Sequence, residues 1–115
     1  MATDFNRTLA EAKKSIRENG REFIAVTETQ SGDDWNPTVS TTETPFIGVQ
    51  VGFEASELAQ GLVADGDIKI LAAGDIAQPV MGQTIKDGAD VYRVKRFNPV
   101  KPGSITVLYK IHCER

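Results

Sequence analysis

The residues that could do chemistry are few, and they sit badly for it. His112 is the only histidine and Cys113 the only cysteine, and they are neighbours in the chain. A thiol within hydrogen-bond reach of an imidazole is a nucleophile–base couple. Adjacent residues of a strand, however, point to opposite faces. Cys113 is therefore expected to close an apolar face, with His112 turned away from it. A metal site would need two more ligands at suitable spacing, and none is evident. Asp65-Gly66-Asp67 has the start of a calcium loop but lacks the further oxygen ligands and closing Glu; it reads as a turn. The glycines follow no phosphate-loop pattern. The sequence thus predicts a protein that is not an enzyme and needs no cofactor or metal.

The elements around these residues are mostly strands. Ile105, Val107, Tyr109, Ile111 and Cys113 alternate with Thr106, Leu108, Lys110 and His112, the period of a half-buried antiparallel strand. Asp87-Gly88 supplies the positive φ of a tight hairpin. Pro99 and Pro102-Gly103 punctuate the next connection. Phe5, Leu9, Ala12 and Ile16 line one face of a helix over about residues 5–18. Thr3 or Asp4 can cap its start, and Asn19-Gly20 is a good stop. Its narrow stripe suits a sheet edge or a neighbouring subunit. Glu22–Thr29 reads as a strand, Gln30–Pro37 as a loop, and Val39–Thr44 and Pro45–Phe53 as two further strands. Glu54–Gly66 breaks the β pattern, as a helical turn through Ser56–Gln60 or a mobile loop. Asp67–Ala73 returns to strand.

One helix followed by six or seven short strands predicts a mainly β fold, a small antiparallel barrel or sandwich with an N-terminal helix. The 115 residues make one domain. Hydrophobic residues are 40% of the chain but aromatics only 7%, so the core is aliphatic and marginally stable alone. No segment approaches a membrane span, and the N-terminus lacks the apolar run of a signal peptide. Both predict folding in a cytoplasm, with no membrane partner.

Charge is segregated along the chain. Residues 1–27 carry a net +1, residues 28–85 a net −8 and residues 86–115 a net +4. Acidic and basic surfaces of this kind could meet on neighbouring copies or simply face solvent. Arg93, Lys95 and Arg96 are the candidate basic side of such an interface, and Asp33 and Asp34 an acidic one. Trp35 stands beside those aspartates. It is either a lid over the open end of the core or an anchor in a subunit interface. Tyr92 and Phe97 flank the basic run, as in a barrel that binds single strands. Strand geometry puts Tyr92, Val94 and Arg96 on one face and Val91, Arg93, Lys95 and Phe97 on the other, so the aromatics serve the core or rim. The sequence pI near 5.1 disfavours phosphate.

Together, the helix ending in Asn19-Gly20, the strand EFIAVTE, the loop with Asp34-Trp35-Asn36-Pro37, FIGVQVGF, DGDIKILAA and the ending GQTIKDGADVYRVKRFNPVKPGSITVLYKIHCER resemble the head-closure (head–tail connector, or stopper) proteins of tailed bacteriophages and related gene-transfer particles. The likeness is strongest from Asp65 onward, in Asp87-Gly88, Tyr92-Arg93-Val94, Pro102-Gly103 and Arg115. It departs from the family pattern in an extra residue, Asp90, before Tyr92. The resemblance implies a homo-oligomeric ring of about six or about twelve copies at the neck of the virion. Portal and adaptor proteins would lie above it and tail proteins below, with packaged double-stranded DNA in the channel. It implies assembly in the host bacterial cytoplasm. It also implies a channel or gating loop over Glu54–Gly66. Glu54, Glu57 and Asp65 would repel the DNA backbone, while Leu58, Leu62 and Val63, with Ser56 among them, would narrow the passage or else cap the barrel. A tail-terminator or tail-completion ring is the near alternative. A small barrel module binding nucleic acid or peptide is the distant one.

Overall fold

The computed structural model describes residues 5–33 and 35–115, and its six strands close into an antiparallel barrel. Helix α1 (Phe5–Asn19) is followed by β1 (Arg21–Asp33), β2 (Asn36–Val51), the short α2 (Ala55–Ala59), β3 (Ile68–Ala73), β4 (Thr84–Asp87), β5 (Asp90–Val100) and β6 (Leu108–Glu114). Around the barrel the order is β1-β2-β3-β6-β5-β4. This is the mainly β fold with an N-terminal helix that the sequence pattern predicts.

The interior is filled by alternate residues of each strand. Ile68, Ile70 and Ala72 of β3 face Tyr109, Ile111 and Cys113 of β6, and Phe23 of β1 stacks on Phe46 of β2 with ring centroids 5.8 Å apart. α1 lies against β2 and β3 of its own chain. Ile16 is its buried contact, and Lys13 pairs with Asp75 at 2.7 Å. Two glycines are fixed by geometry. Gly88 has φ +60° in the two-residue turn between Asp87 and Asp90, where a tight hairpin needs it. A Cβ at Gly74 would overlap the Thr106 carbonyl, so that crossing closes only around glycine.

The structure corrects four expectations. First, Gln30–Pro37 is not an extended loop, and 39–44 and 45–53 are not two strands. β1 and β2 are single long strands paired from Arg21↔Gly48 to Asp33↔Asn36. β4 reaches β1 only at Ile24–Val26, and β3 reaches β2 only from Gly48 onward. Beyond that the two strands form a free ribbon from Thr27↔Thr42 to Asp33↔Asn36. The Thr-rich stretch pairs because β-branched residues suit a pleated strand even with both faces wet.

Second, Trp35 does not lid its own core. It stands at the ribbon tip and is 91% exposed. Asp34 lies outside the described residues, as does the side chain of Asp33.

Third, a β-bulge interrupts β5. Val94 pairs with Cys113 and Arg96 with His112, leaving Lys95 as the extra residue. The bulge reverses the alternation, so Phe97 joins Tyr92 and Val94 against the core, and Arg96 turns to the outer wall.

Fourth, Pro99 lies inside β5 opposite Tyr109. It sits past the end of β4, where a missing N–H breaks no ladder.

Candidate functional site

Two features stand out: a buried polar cluster on the outer wall, and an apolar mouth beneath the ribbon. The first exists because Phe53–Asp67 folds back over the outside of β3, β6 and β5. Strands in contact on both faces bury both sets of side chains, and so Lys69 and His112 are buried despite their type. His112 Nε2 is 2.7 Å from Asp67 Oδ2, and the same oxygen accepts the Ala64 N–H at 2.9 Å. Lys95, the bulge residue, donates to the Leu62 carbonyl at 3.2 Å and approaches Asp67 at 3.6 Å. Lys69 donates to Glu57 at 2.5 Å. The Phe53 ring packs on the imidazole with centroids 4.7 Å apart.

Burial works against the charge on Asp67. The Ala64 N–H, His112 and Lys95 outweigh it and hold the carboxyl below its usual range. An ionised Asp67 accepts, so Nε2 carries the hydrogen, and Nδ1 is buried with no partner among the described residues. Glu57 is also held low, chiefly by its hydrogen bond from Lys69.

An aspartate that orients a histidine is half of a general-base device. The adjoining cavity of about 230 Å³ is lined by Glu54, Glu57, Leu62, Lys69, Arg96, Asn98, Lys110 and His112, with no hydroxyl or thiol to activate. Cys113 faces the opposite side, in the core, where burial and then the charge of Asp67 push its thiol up to about 12. The two residues point apart as strand geometry requires. The Asp67 partner, 45 residues away in sequence, was not legible from spacing.

The loop residues singled out in the sequence belong to this outer cover. α2 forms where a helical turn through Ser56–Gln60 was expected, with Glu57 accepting the Glu54 N–H at 3.2 Å. Leu62 and Val63 are half-buried, while Ser56 and Asp65 are exposed and Leu58 is 58% exposed. Leu62 lines the outer-wall cavity beside His112, and neither leucine belongs to the core cluster.

The second feature is the barrel mouth from which the ribbon rises. Ala25, Pro45, Phe46, Ile76, Pro79, Ile85 and Ile111 line a mainly apolar cavity of about 270 Å³, and Thr27, Thr44, Asp75 and Gln83 supply its polar groups. Gln83 also borders a second, polar concavity that contains Arg93. Val80 and Met81, both exposed, lie in the same connection.

No family model, curated protein or solved structure matches the chain.

The candidate interface residues are thus dispersed. Arg93 is exposed, Arg96 is half-buried beside His112, and Lys95 is committed to Leu62 and Asp67. Much of the segregated charge meets within the chain: Lys86 pairs with Glu43 at 2.8 Å, Lys110 with Glu54 at 4.0 Å and Lys95 with Asp67 at 3.6 Å. Among the described residues, Arg93 has neither an ion pair nor a side-chain hydrogen bond. No group of three or more His, Cys, Asp or Glu among them could hold a metal, and no helix is long and apolar enough to cross a membrane.

Proposed function

We propose that the protein is a structural component of a tailed-phage or gene-transfer particle. It assembles as a homo-oligomeric ring at the neck of the virion, closing the DNA-filled head and offering the tail a docking surface. The observation that carries this reading is the ribbon. A closed barrel gives rigidity and leaves no further strand to add, yet this chain extends two strands into an arm whose described side chains are all exposed and which ends in an exposed tryptophan. A two-stranded ribbon is marginal on its own in water, and Trp is enriched where proteins meet. An arm that reaches away from its own core suits a heterologous contact, the kind that closes rings.

Within that ring the segment Glu54–Gly66 is the proposed gate, with Leu58 toward the passage and Glu54 and Asp65 keeping DNA from sticking. Cryo-EM of the particle tests the assignment. A ring of this chain between portal and tail is expected, and finding it in the tail tube or capsid shell would sink it. A ring seated on the tail side alone would make it a tail terminator. Leu58→Glu leaves the fold intact, because the side chain is mostly exposed, and should let packaged DNA leak. Unchanged retention would remove the loop from the channel.

A further inference from the structure

We propose that the barrel mouth is a socket for Trp35 of a second copy of this chain. The inference rests on the ring reading above and names the contact that builds it. The mouth is an open end of the core. Phe46, Ile85 and Ile111, core residues of three different strands, also line its cavity of about 270 Å³. An apolar cavity of about 150 Å³ holds a benzene ring, so the space here takes the fused rings of an indole. Asp75 and Thr27 are among its polar lining residues; each already has one partner, Lys13 and Gln83, and keeps a further acceptor lone pair for the indole N–H that a buried Trp must place.

The chain's own Trp35 cannot fill it. The ribbon carries the tip away from the mouth from Thr27 to Asp33, about 20 Å at strand rise. Bending it back would break the ladder. Plug and socket are on one chain but out of reach of each other, so the contact is head-to-tail between copies.

Charge favours the same occupant. From Glu22 to Ile68 the chain has no Lys, Arg or His, and Asp33 and Asp34 immediately precede Trp35 in the sequence. Beside the socket, across Gln83, stands Arg93, exposed and unpaired among the described residues. An acidic tip approaching this rim meets its counter-charge there. Val80 lines the neighbouring concavity with Gln83 and Arg93, and Met81 follows it, both exposed.

Trp35 is the only tryptophan, so its fluorescence reports this contact alone. The test follows the full chain over rising concentration, by light scattering for mass and by Trp emission with acrylamide quenching. Oligomers whose Trp35 emission shifts to the blue and resists quenching are expected. Ala77 also lines the cavity and is exposed, so Ala77→Phe, which plugs the socket from its rim, should keep the barrel folded by circular dichroism but leave the protein monomeric with a quenchable Trp35. Trp35→Ala should weaken association at least about thirtyfold, as an interface anchor does. Arg93→Glu should weaken it about fivefold, with the difference fading at high salt. Oligomers with a fully quenchable Trp35, or an Ala77→Phe protein that assembles like wild type, would overturn the socket while the ring reading stands. A chain that stays monomeric at every concentration and forms no ring on the particle would overturn both.

Discussion

His112 Nε2 lies 2.7 Å from Asp67 Oδ2, and both side chains are at least 96% buried. The pair ties the turn at the end of the outer cover to the closing strand β6, just as Lys69–Glu57 ties α2 to β3. These are bonds between layers, made on the wall opposite the apolar core.

Breaking that pair on one side leaves the other partner buried alone. His112→Ala is expected to cost about 3 kcal/mol or more in denaturant unfolding. In a double-mutant cycle with Asp67→Asn the two losses should fall well short of additive. Additive losses would mean that the two groups do not act on each other.

Acid should loosen the same cover and the Arg21–Asp87 tie between β1 and β4. Asp67, Glu57 and Asp87 are all held below the ordinary carboxyl range in the folded chain. Asp87 is held there first by its hydrogen bond from Arg21. Each group therefore binds fewer protons folded than unfolded between its two pKa values, and stability rises with pH through that window. The stabilisation is fully present above the unfolded value, about 4, and is lost as pH falls through the folded one. A thermal midpoint that does not fall from pH 5 to pH 3 would contradict this, and Asp67→Asn should flatten the slope.

Cys113 should be inert in the native state. Its sulfur is fully buried and its thiol is pushed up to about 12, so almost no thiolate exists at neutral pH. Labelling by a thiol reagent should track unfolding, and rapid native labelling would place the residue elsewhere.

Gly74→Ala should destabilise by about 1–3 kcal/mol, because its Cβ overlaps the Thr106 carbonyl. Gly52→Ala, where the added Cβ meets nothing within 4 Å, is the control and should be near neutral. Equal thermal midpoints for the two variants would remove the packing argument.

The fold was legible wherever one face of an element is apolar. Tyr109, Ile111 and Cys113 declare β6, and Asp87-Gly88 declares the hairpin of β4 and β5. The ribbon was hidden because both its faces are polar, so Thr38–Thr44 shows no alternation, and because Gly32 and Pro37 suggest a loop. The bulge left a trace: Tyr92, Val94 and Phe97 break a period of two by one residue, which is what an inserted residue does. The His112–Asp67 pair left none. Its members are brought together by the cover crossing β6, and no local spacing encodes that.

The ribbon has a consequence for how the chain tolerates change. Its amides should exchange with solvent long before those of the barrel, because opening it costs no core contact. For the same reason, substitutions at Trp35 or Val39 leave the barrel's stability almost untouched. On the proposed reading, the tip that makes the contact is thereby separated from the part that folds. Mutation at the tip then alters the proposed contact without risking the scaffold behind it.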